Sequence, residues 1–159
     1  MKKFIIQFVL LLVVIFAALL FYTGKISNIP FIPQQTEQTK VYINGVRVNV
    51  EIADTQSLRS KGLGGRENLA SSSGMLFIFE RQDMYPFWMK GLKFPLDFIW
   101  IRGERIVDIT ENVSQPFEGQ KDEDLPIYTS KEPIDKILEV NAGFVAQHGI
   151  KIGDSIEIR

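Results

Sequence analysis

VYINGVRVNVEI, residues 41–52, carries the clearest local instruction in the chain. Asn44-Gly45 stands between two runs rich in β-branched residues, the pattern of a two-residue type I′ hairpin turn. In the second run Val46, Val48, Val50 and Ile52 share one face, and Arg47, Asn49 and Glu51 share the other. Period-two alternation of this kind marks a strand with one dry face. The domain therefore begins with an antiparallel strand pair.

Downstream, Asp54 or Thr55 can cap a short helix over Gln56–Lys61, and Gly62 can end it. Short extended runs follow at 75–79, 87–90, 96–101, 105–110 and 134–140. A helical turn or two is expected over 141–147, stopped at Gly149, and two extended pieces at 150–152 and 156–158 close the chain. Between them, 115–126 is polar and acidic, with Glu118, Asp122, Glu123 and Asp124, and is expected to be a loop. About eight short strands and two short helices without β-α alternation imply a mainly β domain, a compact antiparallel barrel or sandwich.

Within this frame FWMKGLKFPLDFIW, residues 87–100, poses a problem, because Lys90, Lys93 and Asp97 interrupt an otherwise apolar segment. If 87–90 and 96–101 form a hairpin, Lys90 falls opposite Asp97 and Phe87 opposite Trp100. Phe87, Met89, Leu96, Phe98 and Trp100 would then be core. Trp88, Lys90, Asp97, Ile99 and Ile101 would share the other face, since cross-strand partners lie on one side. The Lys90–Asp97 pair would either pin the strand register or line a site beside Trp88.

Ahead of the domain, Lys2 and Lys3 precede an apolar run from Phe4 to Tyr22 broken only by Gln7. Nineteen helical residues rise about 28 Å, enough to span a hydrocarbon core. The run lacks a small-residue pair at its exit, so a retained transmembrane anchor over 1–23 is expected rather than a cleaved signal. The positive-inside bias puts the N-terminus in the cytoplasm and the domain outside. Residues 24–39, with two prolines and a Gln/Thr tail, are expected to be a tether, and 40–159 the extracytoplasmic domain.

Composition removes several classes of function. The chain has no cysteine, which excludes disulfides and thiolate chemistry, and one histidine, His148, which excludes a His-rich metal site. Residues 40–159 hold 15 Lys+Arg against 18 Asp+Glu, the opposite of a nucleic-acid-binding face. Ser71-Ser72-Ser73-Gly74 lacks a nucleophile elbow, and the phosphate-loop motifs are absent. No metal or cofactor is expected.

The ordered motifs GLGGR (62–66), GMLFIF (74–79), FWMKGLKFPLDFIWI (87–101), ILEVNAG (137–143) and IKIGD (150–154) resemble the family catalogued as domain of unknown function 192. The resemblance covers 41–159 and implies a compact, mostly β fold in a protein that is often exported or membrane-tethered. It implies no activity. Where the family has Met-Lys-Asn-Thr, this chain has Met89-Lys90-Gly91-Leu92, so no role of that Asn and Thr carries over here. Arg66, Lys90, Asp97 and Glu139 stand at matching positions.

These residues, with Trp88, form the candidate ligand-binding set: Arg66, Trp88, Lys90, Asp97 and Glu139. Arg66 follows three glycines and could grip an anion, or tie its loop to Glu139 or Asp97. Glu139 lies off the Leu138–Val140 alternation and is expected to face solvent. The leading expectation is a tethered domain that binds a small polar ligand or an envelope protein. One alternative is a hydrolase acting on an envelope glycan through two carboxylates from Asp54, Asp97, Glu139 and Asp154, which would have to lie about 5–10 Å apart. The other is a structural or assembly protein that docks a partner on 115–130.

Overall fold

The computed structural model describes residues 2–22 and 39–159. The chain divides into two units, Met1–Thr36 and Glu37–Arg159. In the first, α1 runs from Lys2 to Tyr22. Its described side chains are those of residues 5–7 and 9–19. Among the described residues no helix is long and apolar enough to cross a membrane. The expected tether lies outside the described residues, apart from Thr39.

The second unit is a curled seven-stranded sheet with short helices. Its strands are β1 (Thr39–Ile43), β2 (Val46–Ala53), β3 (Ser73–Asp83), β4 (Leu96–Arg102), β5 (Arg105–Val113), β6 (Ile134–Asn141) and β7 (Ile156–Ile158). Helix α2 (Gln56–Lys61) follows β2 and α3 (Phe144–His148) follows β6. The strand order is β5-β4-β6-β3-β2-β1-β7. Chain segments at the two ends of the sheet also meet: Ile106 N–H donates to Asp154, Gly153 N–H to Ile106, and Ile156 N–H to Glu104. The sheet is thus a half-barrel whose flanks are drawn together by main-chain bonds.

The opening hairpin forms as its sequence requires. Asn44 and Gly45 take φ of 51° and 82°, and Val41 pairs with Val48. Val48 and Val50 are buried while Arg47 and Glu51 are exposed. Thr55, not Asp54, caps α2, its Oγ1 accepting from Leu58 N–H at 3.2 Å. Gly62 ends that helix at φ 50°.

One strand pair is parallel, β2 with β3. Parallel neighbours need a long crossover, and residues 54–72, carrying α2 and the glycine-rich loop, supply it. The sheet is otherwise antiparallel.

The second hairpin does not form. Strand β4 lies between β5 and β6, and Phe87 instead makes a two-bond bridge with Tyr128, each N–H···O at 2.8 Å. The reason is that both faces of β4 are dry. Leu96, Phe98 and Trp100 enter a core with Met75, Phe77, Met89 and Ile137. Ile99 and Ile101 enter a second core with Val41, Val48, Leu76, Leu138 and Phe144. A central strand covered on both sides shows no alternation, so its residues offer no parity by which to choose a face. Trp100 satisfies its indole N–H on Thr110 Oγ1 at 2.9 Å.

Candidate functional site

Asp97 is fully buried, and its partner is not Lys90. Its Oδ1 accepts from Asn112 N–H at 2.8 Å and its Oδ2 from Val145 N–H at 3.0 Å. The β4–β5 register slips beside it: Leu96 pairs with Val113 but Phe98 with Thr110. The bulge leaves a free amide at Asn112 (φ 55°), and the first turn of α3 leaves another at Val145. Asp97 therefore joins a bulge to a helix start. The expected Lys90–Asp97 pair is replaced by this main-chain staple.

Lys90 points elsewhere, pairing with Asp122 at 2.6 Å across an exposed surface. Asp122 opens a short 3₁₀ turn, Asp122–Asp124, in the acidic loop. Lys93 pairs with Glu67. Arg66 binds neither Glu139 nor Asp97. It makes a bidentate fork to Glu51 on β2, at 2.5 and 2.7 Å. That fork, reinforced by the Arg66 and Lys61 charges, holds the Glu51 carboxyl below the usual carboxylate range despite partial burial.

Glu139 is the residue whose placement differs most from expectation. It lies on β6 opposite Met75 of β3 and Phe98 of β4. Both belong to the aromatic core, so the face expected to be wet is dry and Glu139 is only 5% exposed. Among the described residues no hydrogen bond reaches its carboxyl group, yet none of them has a fully enclosed polar side-chain atom without a partner. The carboxyl oxygens must therefore open onto free space. Desolvation alone pushes this group up to about 8, so it is mostly protonated at neutral pH.

That space is a cavity of about 430 Å³ lined by Glu139 and by side chains from α2, β3 and the 85–92 segment. Its volume falls in the range of small-molecule sites. The apolar walls include Leu63, Phe77, Phe79, Phe87 and Leu92, and the cations are Arg59, Lys61 and Lys90. Phe87 is the centre of the aromatic packing, edge-on to Phe77 at 5.0 Å and to Trp100 at 5.9 Å. Tyr85 stacks flat on Phe79 at 3.6 Å. Trp88 stands half exposed at the opening. Arg59 gives two bonds to the Asp54 and Ile78 carbonyls, at 2.6 and 2.8 Å, and lies 5.1 Å over the Phe79 ring. Its guanidinium is held by carbonyls and a π face, and no described carboxylate pairs with it.

The crossover sets this geometry. Gly62 puts α2 against the Phe77 ring, and Gly65 N–H donates to Gly91 carbonyl at 2.8 Å. The glycine-rich loop is thereby clamped to the turn that carries Lys90.

Of the five candidate residues, Trp88, Lys90 and Glu139 line one cavity, and Arg66 and Asp97 do not. Sequence reasoning missed Arg59, Lys61 and Tyr85, and took Phe87 as core alone. The signal for Arg59 and Lys61 was available, since both lie on a capped helix next to the glycine-rich loop. Of the four carboxylates named for the two-carboxylate reading, Glu139 alone lines this cavity. Glu139 is the one carboxylate among the lining residues, Asp97 bonds to backbone on another face, and Asp154 binds Asn44 and Lys151 N–H at 2.7 and 2.8 Å.

No curated protein matches the chain. A crystal structure from Sinorhizobium meliloti 1021, described as a candidate transcription regulator, is 32% identical. It covers 76% of this chain and 92% of its own, with a TM-score of 0.66. A second, a protein of unknown function from Novosphingobium aromaticivorans DSM 12444, is 31% identical over 74% of this chain and 83% of its own, also at a TM-score of 0.66. The family model DUF192, described as "Uncharacterized ACR", matches residues 39–158, and the chain belongs to that family.

Proposed function

We propose that this protein is a membrane-tethered binding domain that holds a small polar organic ligand in the Glu139 cavity. The observation that carries the reading is Glu139 itself, a buried carboxyl with no described partner, opening onto an aromatic cavity with cations around it. Burying a polar group without a hydrogen bond costs free energy that a merely structural site would avoid. A ligand offering an acceptor atom to Glu139 removes that cost by accepting a hydrogen bond from its carboxyl O–H. Trp88 and Tyr85 offer faces for a flat or ring-shaped body.

The tethered, extracytoplasmic placement rests on the sequence, through the apolar run after Lys2 and Lys3 and the proline-containing segment that follows. The regulator description of the S. meliloti protein is not adopted, because the acidic balance of 40–159 offers no field for a nucleic-acid backbone. A second reading, partner docking on the 115–130 segment, is favoured by Phe117 and Ile127, which are 70% and 64% exposed.

Thermal-shift screening of sugars, nucleotides, cell-wall fragments and small organic acids against the purified chain tests the ligand reading. A compound that raises Tm should lose its effect in Trp88→Ala, whose half-exposed side chain contributes little to stability. A screen without a stabilising compound, or a shift that survives in both Trp88→Ala and Glu139→Gln, would refute it.

A further inference from the structure

The cavity's charges point to the kind of ligand. Arg59, Lys61 and Lys90 are cationic, and the one carboxyl among the lining residues, Glu139, is kept mostly protonated by burial. Such a site carries net positive charge at neutral pH, and nothing in its lining offsets it. The chain itself supplies the offset from outside the lining. Asp122, in the acidic loop, sets its carboxylate on Lys90 at 2.6 Å, with side chains 55% and 64% exposed. The loop bearing it is braced internally, Gln120 donating to Asp124 carbonyl at 3.2 Å and Phe117 N–H to Gln120 Oε1 at 3.2 Å.

We propose, resting on the ligand reading above, that the cavity takes a flat organic carboxylate whose anionic end replaces Asp122 on Lys90 and whose far end accepts a hydrogen bond from Glu139. Asp122 then acts as a built-in competitor. Three features fit this occupant. The walls are apolar and aromatic, which suits a planar body. The cations suit a carboxylate better than a neutral head group. The floor offers a donor rather than an anion, so the buried end of the ligand must be a hydroxyl or carbonyl oxygen. Because an exposed ion pair is worth little, displacing Asp122 is a small penalty that a bound anion readily outweighs.

The test is calorimetric titration of the whole chain with 4-hydroxycinnamate and with its neutral amide, repeated in Asp122→Asn and Lys90→Gln. Both substitutions are on exposed side chains, and an unchanged Tm checks that each variant folds. The parent is expected to bind the acid about ten-fold tighter than the amide. Asp122→Asn should tighten the acid about three- to five-fold and leave the amide unchanged, because only the anion competes with Asp122. Lys90→Gln should bring the acid down to the amide. Equal binding of acid and amide, or no gain in Asp122→Asn, overturns the anion assignment while leaving the cavity's role as a binding site intact. Failure of both compounds to bind the parent overturns this proposal, and only the broader screen then decides the ligand reading.

Discussion

Replacing Glu139 with glutamine should make the chain more stable than the parent, by an amount that grows with pH. The side chain keeps its shape and a hydrogen-bond donor but can no longer ionise. In the unfolded chain the Glu139 carboxyl titrates near 4.5, and in the folded chain near 8. Below pH 4.5 both states hold the proton, so the group places no charge penalty on folding. Between 4.5 and 8 the unfolded chain loses the proton while the folded one keeps it. Each pH unit in that window removes about 1.4 kcal/mol. The loss reaches about 3 kcal/mol at pH 7 and levels off near 5 kcal/mol above pH 8. Set against a total stability of about 5–15 kcal/mol for a domain, this is a large share. Glu51 and Asp135, both held below their usual values, give the opposite trend on acidification. That trend is common to parent and variant and cancels in the comparison. Urea unfolding of both, followed by tryptophan fluorescence from pH 4 to 9, gives the difference directly. A difference that stays flat across the range would refute the reasoning, because it would mean that Glu139 ionises freely in the folded chain.

Asp97→Ala should cost about 3 kcal/mol, since it strands the Asn112 and Val145 amides in a dry place. Asp97→Asn, which keeps one acceptor, should cost less, and amide exchange at residues 112 and 145 should report which bond is lost. Gly74→Ala should lower Tm by several degrees, because the added Cβ would lie 2.6 Å from the Glu139 carbonyl oxygen and force β3 from β6. Arg66→Ala should change stability by no more than about 1 kcal/mol, as its fork to Glu51 is part-exposed. Ligand affinity should be unaffected in that variant, since Arg66 does not line the cavity.

The β class of the domain was legible because turn and cap chemistry are local. Asn44-Gly45 needs positive φ, Thr55 needs an amide three residues on, and both signals survive in any surroundings. The pairing of β4 was not legible, because residues 96–101 are apolar on both sides and any partner would suit them. Glu139 shows the same limit. Alternation with Leu138 and Val140 puts it on the opposite face correctly, but nothing local says that this face is covered by Met75 and Phe98. Asp97 could be read only as a charge needing a partner. That the partner is two backbone amides follows from a bulge at residues 111–112, which leaves no trace in β4. The cavity draws on residues 56–63, 77–92 and 139, and their convergence depends on the parallel β2–β3 pairing, the one pairing that runs against an antiparallel reading.

Strand β1, the first of the sheet, is paired with β7, the last, and Lys40 and Arg159 exchange two main-chain hydrogen bonds at 2.9 Å. The domain is therefore closed by its last strand, which is seated beside its first. During synthesis β1 and β2 can pair early, but one flank of β1 has no mate until β7 has emerged from the ribosome. Contacts of such long sequence separation slow folding, and the exposed edge is a hazard while it lasts. Until β7 docks, the core around Val41, Val48 and Leu76 lacks Ile156 and the flank of β1 stays open, so the last strand is the step that completes both core and edge.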